Sequence, residues 1–190
     1  MSEIIATGRR AQIVEAAIGV FLRYGYARTT MGDIAREVGL TRPTVYGSFP
    51  DKEHIFAAVV EKMIADKLLD ISEGLKRQST LRDKLLFACH SWASEGYELV
   101  KAHPDAADMF DLGFRSVCAG YDAFGAIIEE LLEAPLAASN LEISAAEATR
   151  TLVFAMRGFK EIARDAADMR AMVSTQVSLM AAGIQSISTS

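Results

Sequence analysis

Apolar residues recur every three or four positions along nearly the whole chain, a period that predicts helix after helix. From about Thr7 to Tyr24, Ile13, Ala17, Val20, Phe21 and Tyr24 share one side, and Gly25 closes the element. From Asp51 to about Leu75, Ile55, Phe56, Val59, Met63 and Leu68 form the next stripe. A helix beginning near Thr80 carries Leu81, Leu85, Ala88, Trp92 and Leu99 and stops before Pro104, and a short one follows from Asp105. Phe114 to Glu133 carries Val117, Tyr121, Phe124, Ile128 and Leu131. The clearest break is PLAASNLEI, with Pro135, Ser139 and Asn140. Ser144 and Glu147 make a capping box for a helix reaching about Asp165, and a last helix runs from about Met169 to Ile187. No alternating segment is long enough to require a strand. The fold class predicted is all-α.

The stretch from Thr29 to Lys52, TTMGDIAREVGLTRPTVYGSFPDK, departs from this long-helix pattern. Ile34, Ala35, Val38, Leu40 and Val45 are its apolar positions, and Gly39 falls between two short helical patterns. Thr30 with Asp33 caps the first, and Thr41 caps the second, with Pro43 in its first turn. Gly39 provides the positive φ of a sharp corner. This is the spacing of a helix-turn-helix, whose second helix enters the DNA major groove. Arg42, Thr44 and Tyr46 line the exposed side of that second helix. Lys52 sits in the first turn of the helix that follows, where a cation opposes the helix dipole. A DNA phosphate held between the helix N-terminus and the ammonium would account for it, against the plainer reading of a solvated lysine.

From about Arg9 to about Val60, through FLRYGYARTTMGDIAREVGLTRPTVYGSFPDKEHIF, the order of residues resembles the N-terminal domain of TetR-type transcriptional regulators. The resemblance combines a Gly after the first helix, TT before the second, IA-x-x-x-G, T-V-Y, then F-x-x-K-E. Gly47, Ser48 and Pro50 depart from the commonest family pattern. The resemblance implies a three-helix DNA-binding head, residues 1–52, on a larger helical ligand-binding and dimerisation domain, residues 53–190. It also implies a homodimer on double-stranded operator DNA, with Thr30, Tyr46 and Lys52 on phosphates. Arg42, Pro43 and Thr44 would face base edges, Arg42 being the candidate for a guanine contact.

Charge changes the picture only slightly. The net charge is −5, yet residues 1–52 hold seven Arg and Lys against five acids, which leaves −7 on the remainder. A mildly basic head on an acidic body binds phosphates with one face and repels them with the other. Half of the residues, 51%, are hydrophobic, but no run is long enough for a membrane span, and MSEIIATGRR lacks the apolar core of a signal peptide. Cys89 and Cys118 have no metal or redox spacing, so a cytoplasmic location is expected.

Two further surfaces are expected. Phe87, His90, Trp92, Met109, Phe110, Phe114, Cys118, Tyr121 and Phe124 bring aromatics, sulfur and an imidazole onto adjacent helices. Such stripes are more often core than binding site, but TetR-type proteins commonly keep an apolar effector cavity in this region. Leu152, Met156 and Phe159 on one helix, and Val173, Val177, Met180 and Ile184 on the next, form the candidate dimer interface, an ordinary core stripe being the alternative. His103, Asp105, Asp108 and Asp111 read as helix-start acids on a solvated surface, not metal ligands. Cys89 and His90 are sequence neighbours that point about 100° apart on a helix, so they form no nucleophile pair. No catalytic constellation, metal site or cofactor is expected. The reading is a ligand-responsive regulator, a repressor released by a small, largely apolar effector. The alternative is a helical small-molecule binding or enzymatic protein whose basic head has another role.

Overall fold

A computed structural model describes residues 2–186 as helices joined by short turns, with no strand among them. The helices are α1 (Ser2–Arg28), α2 (Met31–Val38), α3 (Arg42–Tyr46), α4 (Lys52–Leu75), α5 (Leu81–Cys89), α6 (Glu95–Ala102), α7 (Arg115–Ala137), α8 (Ala145–Ile162) and α9 (Ala166–Ser186). A π-helical turn, His90–Ser94, joins α5 to α6, and a 3₁₀ turn, Pro104–Phe110, precedes α7. The all-α expectation holds. Ile187, the expected end of the last helix, lies outside the described residues.

The chain forms two compact units, Met1–Ala65 with Val100–Gly120, and Asp66–Leu99 with Tyr121–Ser190. The divisions fall inside α4, α6 and α7. Residue 52, the expected domain boundary, is the first residue of α4.

In the N-terminal unit, Ile13, Ala17, Phe21, Ile34, Val45, Phe49, Ile55, Phe56 and Val59 are buried. Phe21, Tyr26, Phe56 and Phe114 interlock, with ring centroids 4.5–5.3 Å apart along the chain of contacts. Gly25, at φ 74°, breaks the helical run of α1, and a Cβ there would lie 2.1 Å from the Asp105 carbonyl oxygen. Both facts demand glycine. The 3₁₀ turn packs on α1 at this break.

In the C-terminal unit, Ile71, Leu85, Phe124, Ile128, Leu132, Leu152, Met156, Val173 and Val177 make one continuous core. Here α9 packs against α5, α8 and the π-helical turn. Phe87 lies across Gly74, where a Cβ would come 2.0 Å from the ring, so the close approach of these elements depends on a missing side chain. The break expected at Pro135 comes later, because α7 runs on to Ala137 with Pro135 inside it. Near a helix end the ring gives up one backbone bond and the next turn still closes, through Ala138 N–H donating to the Ala134 carbonyl.

Candidate nucleic-acid interface and effector site

The helix-turn-helix is built by its caps. Thr30 accepts from the Asp33 N–H while the Asp33 carboxylate accepts from the Thr30 N–H, closing the capping box at 3.2 and 3.0 Å. These bonds hold the Asp33 carboxyl below its ordinary range, the Thr30 contacts contributing most. Gly39 sits at φ 72° and its N–H closes α2, and Thr41 caps α3 by accepting from the Thr44 N–H. Val45 is wholly buried and fixes α3 against α2, while Arg42, Pro43 and Tyr46 stay exposed and Thr44 is half-buried. The arrangement leaves the polar side of a short helix open to solvent, its one anchoring residue turned inward.

Several of these side chains already have work. Arg42 lies over α2, its guanidinium so close to Gly32 that a Cβ there would sit 2.4 Å from it. Reaching a base edge therefore requires Arg42 to swing away from Gly32. Thr44 Oγ1 lies 2.8 Å from Thr41 Oγ1. The Lys52 ammonium donates to the Tyr26 carbonyl at 2.7 Å and to the Ala27 carbonyl at 3.4 Å, and lies 4.2 Å from the centre of the Tyr26 ring. That position resolves the mismatch with the helix dipole without a phosphate, because the carbonyls and the ring supply the negative field.

Two head residues escaped the sequence reading. Arg10 donates to the Ser48 carbonyl just after α3 and stacks 3.9 Å over Phe49. Asp108, expected to be a solvated acid, accepts from the Tyr26 and Ala27 N–H groups at 2.9 and 2.8 Å, and its neighbour Asp105 pairs with Arg28. The chain just past Gly25 thus has its amides held by Asp108 and its carbonyls by Lys52. Contacts 81 or 82 residues apart leave no local periodicity to find them by.

The nine effector candidates separate. Met109, Phe110, Phe114 and Cys118 belong to the N-terminal unit, where Phe114 completes the aromatic cluster and the Cys118 thiol donates to the Leu112 carbonyl. Phe87, His90, Trp92, Tyr121 and Phe124 belong to the C-terminal unit. Trp92 stacks on Phe124 at 4.7 Å and meets Tyr121 edge-on at 5.6 Å. Both His90 nitrogens are occupied, one by Ser94 and one by Ser174, each at 3.0 Å. Burial first, then the Arg170 charge, pushes the His90 pKa down, which favours the neutral ring. Burial pushes the Cys89 thiol up to about 12, which makes it inert. The Trp92 indole N–H and the Thr149 hydroxyl are buried without partners.

Of the seven interface candidates, Leu152, Met156, Val173, Val177 and Ile184 are at most 4% exposed within the chain's own core, and Phe159 and Met180 pack against it. Five of the seven are therefore core residues of the chain itself, while Phe159 and Met180 keep partial exposure. Phe154 and Ile162 on α8 and Leu179 on α9 are each more than half exposed.

Comparison with known proteins identifies the head. A model described as "Bacterial regulatory proteins, tetR family" matches residues 13–59. Residues 13–59 are thus similar to the DNA-binding domain of tetR-family regulators. An uncharacterised HTH-type transcriptional regulator of Mycobacterium tuberculosis is 42% identical over 77 residues, which cover 40% of each chain. The chain therefore spans about 40% of the length of that curated relative. Solved structures extend the likeness in fold over nearly the whole chain. The transcriptional regulator FadR from Bacillus subtilis, in complex with stearoyl-CoA, has a TM-score of 0.67 at 18% identity, covering 91% of this chain and 98% of FadR. A regulator from Saccharomonospora viridis in complex with choline has a TM-score of 0.71 at 17% identity, covering 90% and 96%.

Proposed function

We propose that this chain is a dimeric, ligand-responsive transcriptional repressor of the tetR family. The observation that carries the reading is the capped α2–α3 pair, with Val45 buried while Arg42, Pro43 and Tyr46 are presented to solvent. The family match over residues 13–59 supports it. Arg42, Pro43 and Thr44 would face base edges, and Thr30 and Tyr46 would meet phosphates. Lys52 has one donor left after its two carbonyls, enough for a phosphate contact at the same time.

Dimerisation would use the exposed faces of α8 and α9, through Phe154, Ile162 and Leu179. Effector binding in the C-terminal unit would favour a dimer that fits DNA poorly, a population shift carried by α4, which belongs to both units. A fatty-acid-like effector is in keeping with the stearoyl-CoA complex of FadR, a protein of similar fold.

A gel-shift titration against DNA flanking the protein's own gene tests the reading, with saturable binding displaced by effector as the expected result. A protein that binds that DNA no better than random DNA would instead be a helical small-molecule binder with another role for its head. Sedimentation tests assembly. Leu179→Asp should yield a folded monomer with weakened DNA binding, whereas Met156→Asp should fail to fold, since it buries an unpaired charge.

A further inference from the structure

Two half-buried cations in the C-terminal unit face an aromatic ring and, among the described residues, no carboxylate. Arg157 and Lys160 lie on α8 with their charged ends 5.8 and 6.0 Å from the centre of the Tyr121 ring. Both are half-buried, and among the described residues neither pairs with a carboxylate. Like charges three residues apart on a helix repel, so helix stability does not explain the pair. Tyr121 meets Trp92, whose indole N–H is buried without an acceptor, and Trp92 sits in the π-helical turn. Such turns recur at functional sites, and an unmade buried hydrogen bond awaits an acceptor. Two unpaired cations and an orphaned donor around one aromatic wall can all be satisfied by an oxyanion, which brings both charge and acceptors.

We infer that the effector is an organic anion, with its carboxylate or phosphate head on Arg157 and Lys160 and its apolar body along Tyr121 and Trp92. The inference rests on the reading of the chain as a ligand-responsive regulator and names the class of effector. Guanidinium and ammonium together match an oxyanion, the first by a bidentate fork and the second as a point charge. The same pair already occupies the Tyr121 face and repels a quaternary ammonium, so a choline-like cation is excluded. Attraction of this kind weakens as salt screens it.

Trp92 is the only tryptophan, so its emission reports the site directly. The probes are decanoate, decanol and decyltrimethylammonium, with 4-phenylbutyrate and 4-phenylbutanol as an aromatic pair. At least one carboxylate should change Trp92 emission saturably, at a concentration at least about tenfold below its alcohol, and the ammonium should not bind. In Arg157→Gln/Lys160→Gln the carboxylate should fall to the level of its alcohol while the alcohol is unchanged, and circular dichroism should show the fold kept. Arg157→Lys, which retains the charge, should retain the preference. Equal binding of acid and alcohol, a preference that survives in the double variant, or no binding by either carboxylate would overturn the inference. Gel shifts on the same samples separate the failures. Intact DNA binding with no carboxylate preference sinks the effector class alone, whereas absent DNA binding sinks the regulator reading and leaves the emission result standing.

Discussion

In the N-terminal unit, Lys52, Asp108 and Arg10 are bound to the backbone of segments distant in sequence, whereas Arg157 and Lys160 in the C-terminal unit rest on a ring and bind nothing acidic. On the proposed function the contrast is one of purpose. A head that reads a rigid duplex needs a fixed α2–α3 geometry, and charge-assisted bonds to backbone groups fix it at little cost in side-chain freedom. A body that responds to a ligand needs unsatisfied groups, because a site already saturated by its own protein gains nothing from a visitor. His90, with both nitrogens engaged, belongs to the first kind although it lies in the second unit.

The largest effect should come from Phe56→Ala, which removes the ring shared by Phe21, Tyr26 and Phe114 and should cost about 3–5 kcal/mol in urea unfolding. Thiol labelling sharpens the contrast. If the units open separately, this variant should leave Cys89 as protected as before, because Cys89 is buried in the other unit. Rapid labelling of Cys89 would mean that the two units unfold as one.

Asp108→Ala should cost about 2–3 kcal/mol, since two amides lose a charged acceptor, and Asp108→Asn should recover part of it. DNA affinity should drop with stability. An unchanged melting temperature would break the claim that head charges serve geometry. Lys52→Met keeps the stem and loses the ammonium, at about 1–2 kcal/mol. If Lys52 also meets a phosphate, the salt slope of DNA binding falls by about one unit, and an unchanged slope limits Lys52 to its clamp. Arg42→Ala should instead cost about 1–3 kcal/mol at a preferred base and relax specificity there.

The smallest effect concerns acid. Hydrogen bonds from Arg164 hold the Asp168 carboxyl at about 2, against 3.8 for the free side chain. Its contribution to stability is therefore complete above about pH 4 and is lost as pH falls toward 2. Arg164→Gln should return the Asp168 titration, followed by carbon NMR, toward the ordinary value. A titration left near 2 would show that backbone bonds alone depress it.

What the residues disclose in advance follows the distance over which they act. Thr30 with Asp33, Thr41, and Ser144 with Glu147 were legible because a cap and its partner lie within one turn. The clamp by Asp108, the Lys52 carbonyl contacts and the π-helical turn were not, since each depends on tertiary neighbours. The stripe on α8 and α9 was legible as apolar, with core and interface both open, because periodicity tells which side of a helix is buried and not by what. Pro135 misled for the opposite reason, as a strong local breaker overruled by the packing of Leu132 and Leu136 on either side of it.

The discontinuity of the N-terminal unit has a consequence for how it is made. On a ribosome the segment containing α1 to α3 emerges early, but Asp108 and Phe114, which complete its clamp and its aromatic cluster, follow only after α4, α5 and α6. At about 5–20 residues per second the nascent head waits several seconds with its ring cluster open to solvent. A chaperone that shields aromatic surface during that interval should raise the yield of DNA-competent protein, and a chain cut at residue 65 should never become as stable as the head of the whole one.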